Sequence, residues 1–102
     1  MKELNKDEFL NAIKSENLTI VDFYADWCQP CKILTPNLEK VSEDFKDVNF
    51  YKFNVDTDKN LAIGLGISSI PTTIFYKNNN ELHRAIGVAP VDKIIQEVEE
   101  HL

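Results

Sequence analysis

The sequence predicts one α/β domain on a mixed sheet. Apolar β-branched and aromatic runs alternate with segments of helical period over the first part of the chain. Strands joined by crossover helices pair in parallel, so this part reads as a parallel sheet. Near the carboxyl end "TTIFYK" and "ELHRAIG" flank "NNN", residues 78–80. Asparagine tolerates left-handed backbone angles, so this reads as a hairpin that adds antiparallel strands. The length of 102 residues, 43% apolar and 27% charged, suits one modest core and not two.

Residues 2–4 are a candidate short edge strand. "LNKDEFLNAI" then carries a helix start. Asn5 caps, Glu8 answers it three residues on, and Leu4 packs on Phe9. "LTIVDFYA", residues 18–25, is nearly all apolar and reads as a strand covered on both faces. "CKILTPNLEKVSEDF" follows, with Ile33, Leu34, Leu38, Val41 and Phe45 expected on one buried stripe. Pro36 removes a backbone donor there, which predicts a kink rather than an end. "VNFYKFNVD", residues 48–56, is the next strand, and "NLAIGLGI" is at most a short helix ended by glycine. "APVDKIIQEVEEHL" is the last helix, with Pro90 in its first turn. Its expected buried face is Val91, Ile94, Ile95, Val98 and Leu102; Ala89 is a poor cap.

The balance of 11 basic and 17 acidic side chains gives −6, a charge that repels a phosphate backbone and argues against nucleic acid as a partner. The charged amino-terminal stretch lacks the apolar run of a signal peptide. No stretch approaches the roughly 20 apolar residues that span a bilayer. The expectation is a cytoplasmic protein with no membrane partner. Thiols are kept reduced in that compartment, so a close cysteine pair there is more often redox-catalytic or metal-binding than a structural staple.

The chain's two cysteines, Cys28 and Cys31, lie in "YADWCQPCK". Cys28 follows a buried strand and precedes a helix, where unpaired amides and the positive end of the helix dipole collect. Free cysteine titrates at about 8.5, and such settings lower this to roughly 3.5–7.5. Cys31 is one turn on, on the same side. The layout suits thiol–disulfide exchange, in which Cys28 attacks an external disulfide and Cys31 then attacks Cys28. Pro30 stiffens the loop between them. Two duller readings stand beside this one. The pair is half of a zinc site, although only His83 and His101 are left to complete it. Or both are inert core thiols.

Asp22 sits inside the apolar "IVDFY". A buried carboxylate costs several kcal/mol unless paired, or else its pKa rises. It is either a proton acceptor beneath Cys31 or an aspartate on a wet face of the strand. Lys52, in "FYKFNV", is a partner charge for Asp22 if the two strands are neighbours, and otherwise a surface lysine. Pro71 opens a strand in "SSIPTTIF"; by base rate alone its peptide bond is trans.

Taken together these residues resemble the thioredoxin family, along essentially the whole chain. "VDFYADWCQPCK" is similar to the family's active-site strand, loop and helix start, and "KFNVD" to the strand that follows. "GISSIPT" is similar to the segment bearing its cis-proline, "YKNNNE" falls at its hairpin, and "AIG" ends its last strand. The spacings of Asp22, Cys28, Pro71 and Gly87 agree as well. The resemblance implies a single thioredoxin domain over residues 1–102, a central mixed sheet of four to five strands flanked by four helices.

It implies that Cys28 is the nucleophile, Cys31 the resolving thiol and Asp22 a buried acid–base group with Lys52 near it. It implies a cis Ile70–Pro71 bond against the disulfide, and a docking surface of Trp27, Ile70, Pro71, Gly87 and Val88. Trp27 read alone is also a candidate core residue, and Gly87 a plain strand-end glycine.

The implied activity is reduction of protein disulfides by a monomer. The redox disulfide serves as the only cofactor, no metal is needed, and a thioredoxin reductase supplies the electrons. A disulfide oxidase or isomerase on the same fold is the alternative, and a redox-independent docking subunit a third. Four residues depart from the family pattern: Gln29 in place of glycine in the active-site loop, Tyr24 in place of a second tryptophan, Ser69 before the Ile–Pro pair, and Asn79 or Asn80 in place of the hairpin glycine. These bear on substrate preference and redox poise.

Overall fold

The run "TIVDFY" is the axis of the molecule. In the computed structural model, which covers all 102 residues, it forms β2 (Thr19–Tyr24), buried at every position but the last. β3 (Asn49–Asn54) pairs with it in parallel and β4 (Thr72–Lys77) antiparallel. β1 (Lys2–Glu3) extends the sheet beyond β3, and β5 (Asn80–Ile86) beyond β4, in the order β1-β3-β2-β4-β5. The helices are α1 (Lys6–Ala12), α2 (Gln29–Ser42), α3 (Lys59–Gly64) and α4 (Val91–His101), with a single 3-10 turn at Val55–Thr57. The sheet is mixed, with five strands and four α-helices.

Alternation along β2 divides the core. Ile20 faces Leu34, Leu38 and Val41 of α2 and Ile94 and Val98 of α4. Val21 and Phe23 face the other way, with Phe53, Ile74 and Phe9 of α1. Phe9 meets the rings of Phe23, Phe53 and Tyr76 edge-on, at centroid distances of 5.8, 6.0 and 5.6 Å. Burying one such ring stabilises by about 1.5–3 kcal/mol before its geometry adds more. Asp22, two residues from Ile20, lies on the α2–α4 side by the same alternation.

Local chemistry sets most of the boundaries. The Asn5 side chain accepts from the Glu8 amide at 2.8 Å, and the Glu8 carboxylate accepts from the Asn5 amide at 2.9 Å. Two amides that the helix leaves unpaired are thus satisfied. α3 ends as its glycine predicts. Gly66 adopts φ +72°, its amide donates to the Ile63 carbonyl and the Ile67 amide to the Ala62 carbonyl. This is the paired closure of a glycine-terminated helix. In the hairpin the turn is Asn78–Asn79 alone, with φ of 52° and 69°, and Asn80 already pairs with Lys77. Two positive φ values in a two-residue turn match the twist of the flanking strands.

Several expectations need correction. α2 continues past Pro36 rather than ending there, but it stops at Ser42, not at residue 45, and Phe45 packs on the core from the following loop. The buried stripe of α2 is Cys31, Leu34, Leu38 and Val41, whereas Ile33 is 59% exposed. Ile33 stands one helical step, about 100°, off that stripe. The strand expected over 48–56 stops at Asn54, because the Asn54 side chain accepts from the Asp56 amide and turns the chain. Pro90 is the cap of α4, not a first-turn residue. Leu102 lies past the end of α4 and is 62% exposed.

Replacing Asn5 with alanine removes the reciprocal cap of α1. Stability is expected to fall by about 1 kcal/mol, read as a lower urea midpoint at unchanged slope.

Candidate active site

β2 delivers the chain to the site. After Tyr24 it leaves the sheet, and Cys28 becomes the cap of α2 with extended backbone angles, φ −90° and ψ 109°. Its Sγ accepts from the Cys31 amide at 3.3 Å. A sulfur thus stands where a serine or aspartate oxygen commonly caps a helix. A thiolate at this position meets unpaired amides and the helix dipole. Gln29 opens the helix, exposed, and Pro30 occupies the first turn, where a missing amide hydrogen costs nothing.

Cys28 and Cys31 form a disulfide across a Cα–Cα distance of 5.3 Å. They share a small cluster with Ala25 and are 5% and 1% exposed respectively. Cys28 is the more exposed residue of the two. Its Sγ lies 3.8 Å from the Ile70 carbonyl oxygen, and the Ile70–Pro71 bond is cis. The resemblance implied that geometry, against the base rate. The Gly87 amide donates to the Pro71 carbonyl at 2.9 Å, from a backbone at φ +91° that only glycine adopts readily. Three distant segments therefore converge: the α2 cap, the turn before β4 and the end of β5.

Trp27 is 68% exposed, which excludes a core role. Its indole N–H donates to Asp56 at 2.8 Å, which ties the loop to the 3-10 turn. Val88 is exposed and Ile70 half-buried. These side chains place apolar surface beside the cysteines.

Asp22 has no wet face; it is fully buried. Its Oδ2 accepts from the Thr35 hydroxyl at 2.6 Å, and its Oδ1 has no partner within the protein. Burial lifts its pKa from 3.8 to about 6. The Thr35 hydrogen bond and the Lys52 charge oppose that rise, and Glu39 adds to it. Lys52 is the register partner of Asp22 on β3. Its Nζ lies 5.5 Å above the Tyr24 ring, and the Tyr24 hydroxyl bonds Glu3 on β1. Lys52 thus acts on Asp22 through space, with Tyr24 beneath its charge. Beside this network an open cavity of about 280 Å³ is lined by Tyr24, Cys31, Lys32, Thr35 and Glu39, among others.

His83 and His101 are stacked on one another at 4.7 Å, with His83 bonded to Glu97. No three His, Cys, Asp or Glu side chains are grouped as metal ligands. No helix is long and apolar enough to cross a membrane.

Three residues of the site lay outside the sequence reading. Thr35 had a signal: it is the polar residue on the face of α2 that carries Cys31, Leu34 and Leu38. Asp56 and Arg84 had none. The Arg84 guanidinium donates to the Leu65 carbonyl at 2.8 Å and binds Glu81 through two contacts, at 2.9 and 2.8 Å. It thereby pins β5 to the segment leading into Ile70. Strict alternation would put Glu81 and Arg84 on opposite faces, but a bulge leaves Leu82 unpaired and brings them together.

A cysteine pair at a helix cap, faced by a cis-proline turn and backed by a buried carboxyl, defines a thiol–disulfide exchange protein. The thioredoxin family model matches residues 1–100. The chain is 37% identical over 98 residues to a thioredoxin of Chlamydia muridarum, covering 96% of this chain and 95% of that protein. It is 43% identical over 84 residues to thioredoxin-2 of Saccharomyces cerevisiae, covering 81% of each. A solved Plasmodium falciparum thioredoxin superposes with a TM-score of 0.91 at 31% identity, over 100% of both chains. This chain belongs to the thioredoxin family. Its activity is protein-disulfide reduction by dithiol–disulfide exchange through Cys28 and Cys31, with recycling by a thioredoxin reductase as is general for thioredoxins. The redox disulfide takes the place of a cofactor.

Asp22 makes stability depend on pH. Its folded pKa of about 6 exceeds the ordinary 3.8, so the folded state holds the proton more tightly. As pH rises through that window the unfolded chain loses the proton first, and stability falls by about 3 kcal/mol. Asp22→Asn carries no such charge. It is expected to be more stable than the parent at pH 7, by up to about 3 kcal/mol, with the difference closing below the ordinary 3.8. Urea unfolding at both pH values measures this.

Proposed function

We propose that Cys28 is the nucleophile and Cys31 the resolving thiol of this reductase. The Cys28 thiolate attacks one sulfur of a substrate disulfide and releases the other as a thiolate. Cys31 then gives up its proton and attacks Cys28. The Cys28–Cys31 bond forms, the bond to the substrate breaks, and the substrate leaves with both electrons. Asp22 takes the Cys31 proton, and Lys52 keeps the Asp22 carboxylate accessible near neutral pH. Trp27, Ile70, Pro71, Gly87 and Val88 receive an extended stretch of substrate, whose backbone pairs with Ile70 in a β-type contact. Gln29 and Pro30 shape the loop at the point of contact.

The observation that carries this reading is the asymmetry of the two cysteines. Cys28 caps the helix beside Ile70 and is the more exposed, whereas Cys31 is deeper and lines the cavity that Thr35 shares. The neutral Pro30 favours reductant over oxidant, since strong oxidants need a group beside the second cysteine that stabilises the reduced thiolate. We place the protein in the cytoplasm, where a dithiol stays reduced, as a single thioredoxin domain over 1–102 that shuttles electrons between its reductase and its targets. We propose a monomer, because a partner copy on the apolar rim would cover the cysteines.

Reduction of insulin by the reduced protein tests the assignment. Cys28→Ser is expected to abolish turnover, and an equal rate for variant and parent would end the reading. Gln29 is neutral and is expected to tune partner fit. Gln29→Gly should therefore shift the reduction potential by less than about 30 mV, equivalent to about 1.4 kcal/mol for this two-electron couple. Equilibration with glutathione measures the shift.

A further inference from the structure

We propose that the Thr35 hydroxyl is the relay through which Asp22 takes the proton of Cys31. The inference rests on Asp22 being the acceptor, as proposed above. Asp22 is fully buried and does not itself line the cavity, so a proton must reach it through another group. Its only hydrogen-bond partner in the protein is Thr35, at 2.6 Å. Thr35 lies one turn beyond Cys31 on α2, and both line the same open cavity of about 280 Å³. That space is large enough for several waters.

A hydroxyl carries one hydrogen and two acceptor lone pairs. Thr35 points its hydrogen at Asp22 and keeps its lone pairs for a donor in the cavity. A valine or alanine in its place would leave Asp22 no such link.

The step balances. The Cys31 thiol releases its proton to a cavity water, which protonates Thr35 Oγ1 as Thr35 passes its own hydrogen to Asp22 Oδ2. The Cys31 thiolate attacks Cys28, the bond between Cys28 and the substrate sulfur breaks, and that sulfur leaves with the electron pair and takes a proton from solvent. Two electrons pass from the dithiol to the substrate. Asp22 is left neutral and returns its proton along the same path. The charges acting on Asp22 are Lys52 from β3 and Glu39 from α2; its register partner on β4, Thr73, is uncharged.

The test is single-turnover release from the mixed disulfide between pH 5 and 9, for the parent, Thr35→Val, Thr35→Ser and Asp22→Asn. Thr35→Val is expected to slow release at pH 7 about tenfold and to move the half-maximal rate up by about one pH unit, since a pKa change of that size corresponds to a factor of ten. Thr35→Ser is expected to restore both. Slow release in Asp22→Asn with a parental rate and profile in Thr35→Val overturns the relay alone. So does a Thr35→Val that loses stability yet keeps the parental profile. A parental rate in Asp22→Asn overturns the acceptor reading and the relay with it. If Thr35→Val does not fold, release by the unaltered protein in mixed light and heavy water decides. Two protons in flight give a curved dependence on deuterium fraction, and a linear one overturns the relay.

Discussion

Because β2 pairs with a strand on each edge and is covered by helices on both faces, each of its side chains must be packed or partnered. Five of the six residues meet that constraint with apolar groups, a threonine or a half-buried tyrosine. Asp22 meets it with one hydrogen bond and a distant charge. The same burial that makes this carboxyl costly lifts its pKa to about 6, which suits the proton transfer proposed for it. A general base is most effective when its pKa lies near the operating pH. In the proposed mechanism stability and proton transfer thus draw on one group in opposite directions. The remaining core tolerates this because Phe9, Phe23 and Phe53 pack on the far side of the sheet.

The strand also decides where the cysteines stand. It leaves the sheet at its carboxyl end, and the next helix begins within a few residues. A sulfur placed at that junction becomes a helix cap without further device. The face beside the cysteines is assembled differently. Ile70 and Pro71 come from the turn before β4, and Gly87 from the end of β5, joined by the bond between the Gly87 amide and the Pro71 carbonyl. Arg84 holds β5 against the chain leading into that turn.

Much of this was legible in the chain. The Asn5–Glu8 cap, the glycine stop of α3 and the asparagine turn are local chemistry, decided by residues within five positions of each other. The cysteine pair between strand and helix, and an aspartate among apolar neighbours, mark the site by the same logic. The misplacements were local too. Ile33 neighbours Leu34 in the chain yet stands a helical step off the buried stripe, and Leu102 continues a period that the helix does not reach.

Sequence alone determined the order of elements, the family and the redox cysteine pair, because each is written in short-range pattern. Tertiary structure decided what those residues meet. That Asp22 faces Thr35 and lies in register with Lys52, that Trp27 is tethered to Asp56, and that a bulge at Leu82 turns Glu81 towards Arg84 all depend on pairing between segments far apart in the chain. Strand register and helix docking set those distances, and no periodicity within one segment encodes them.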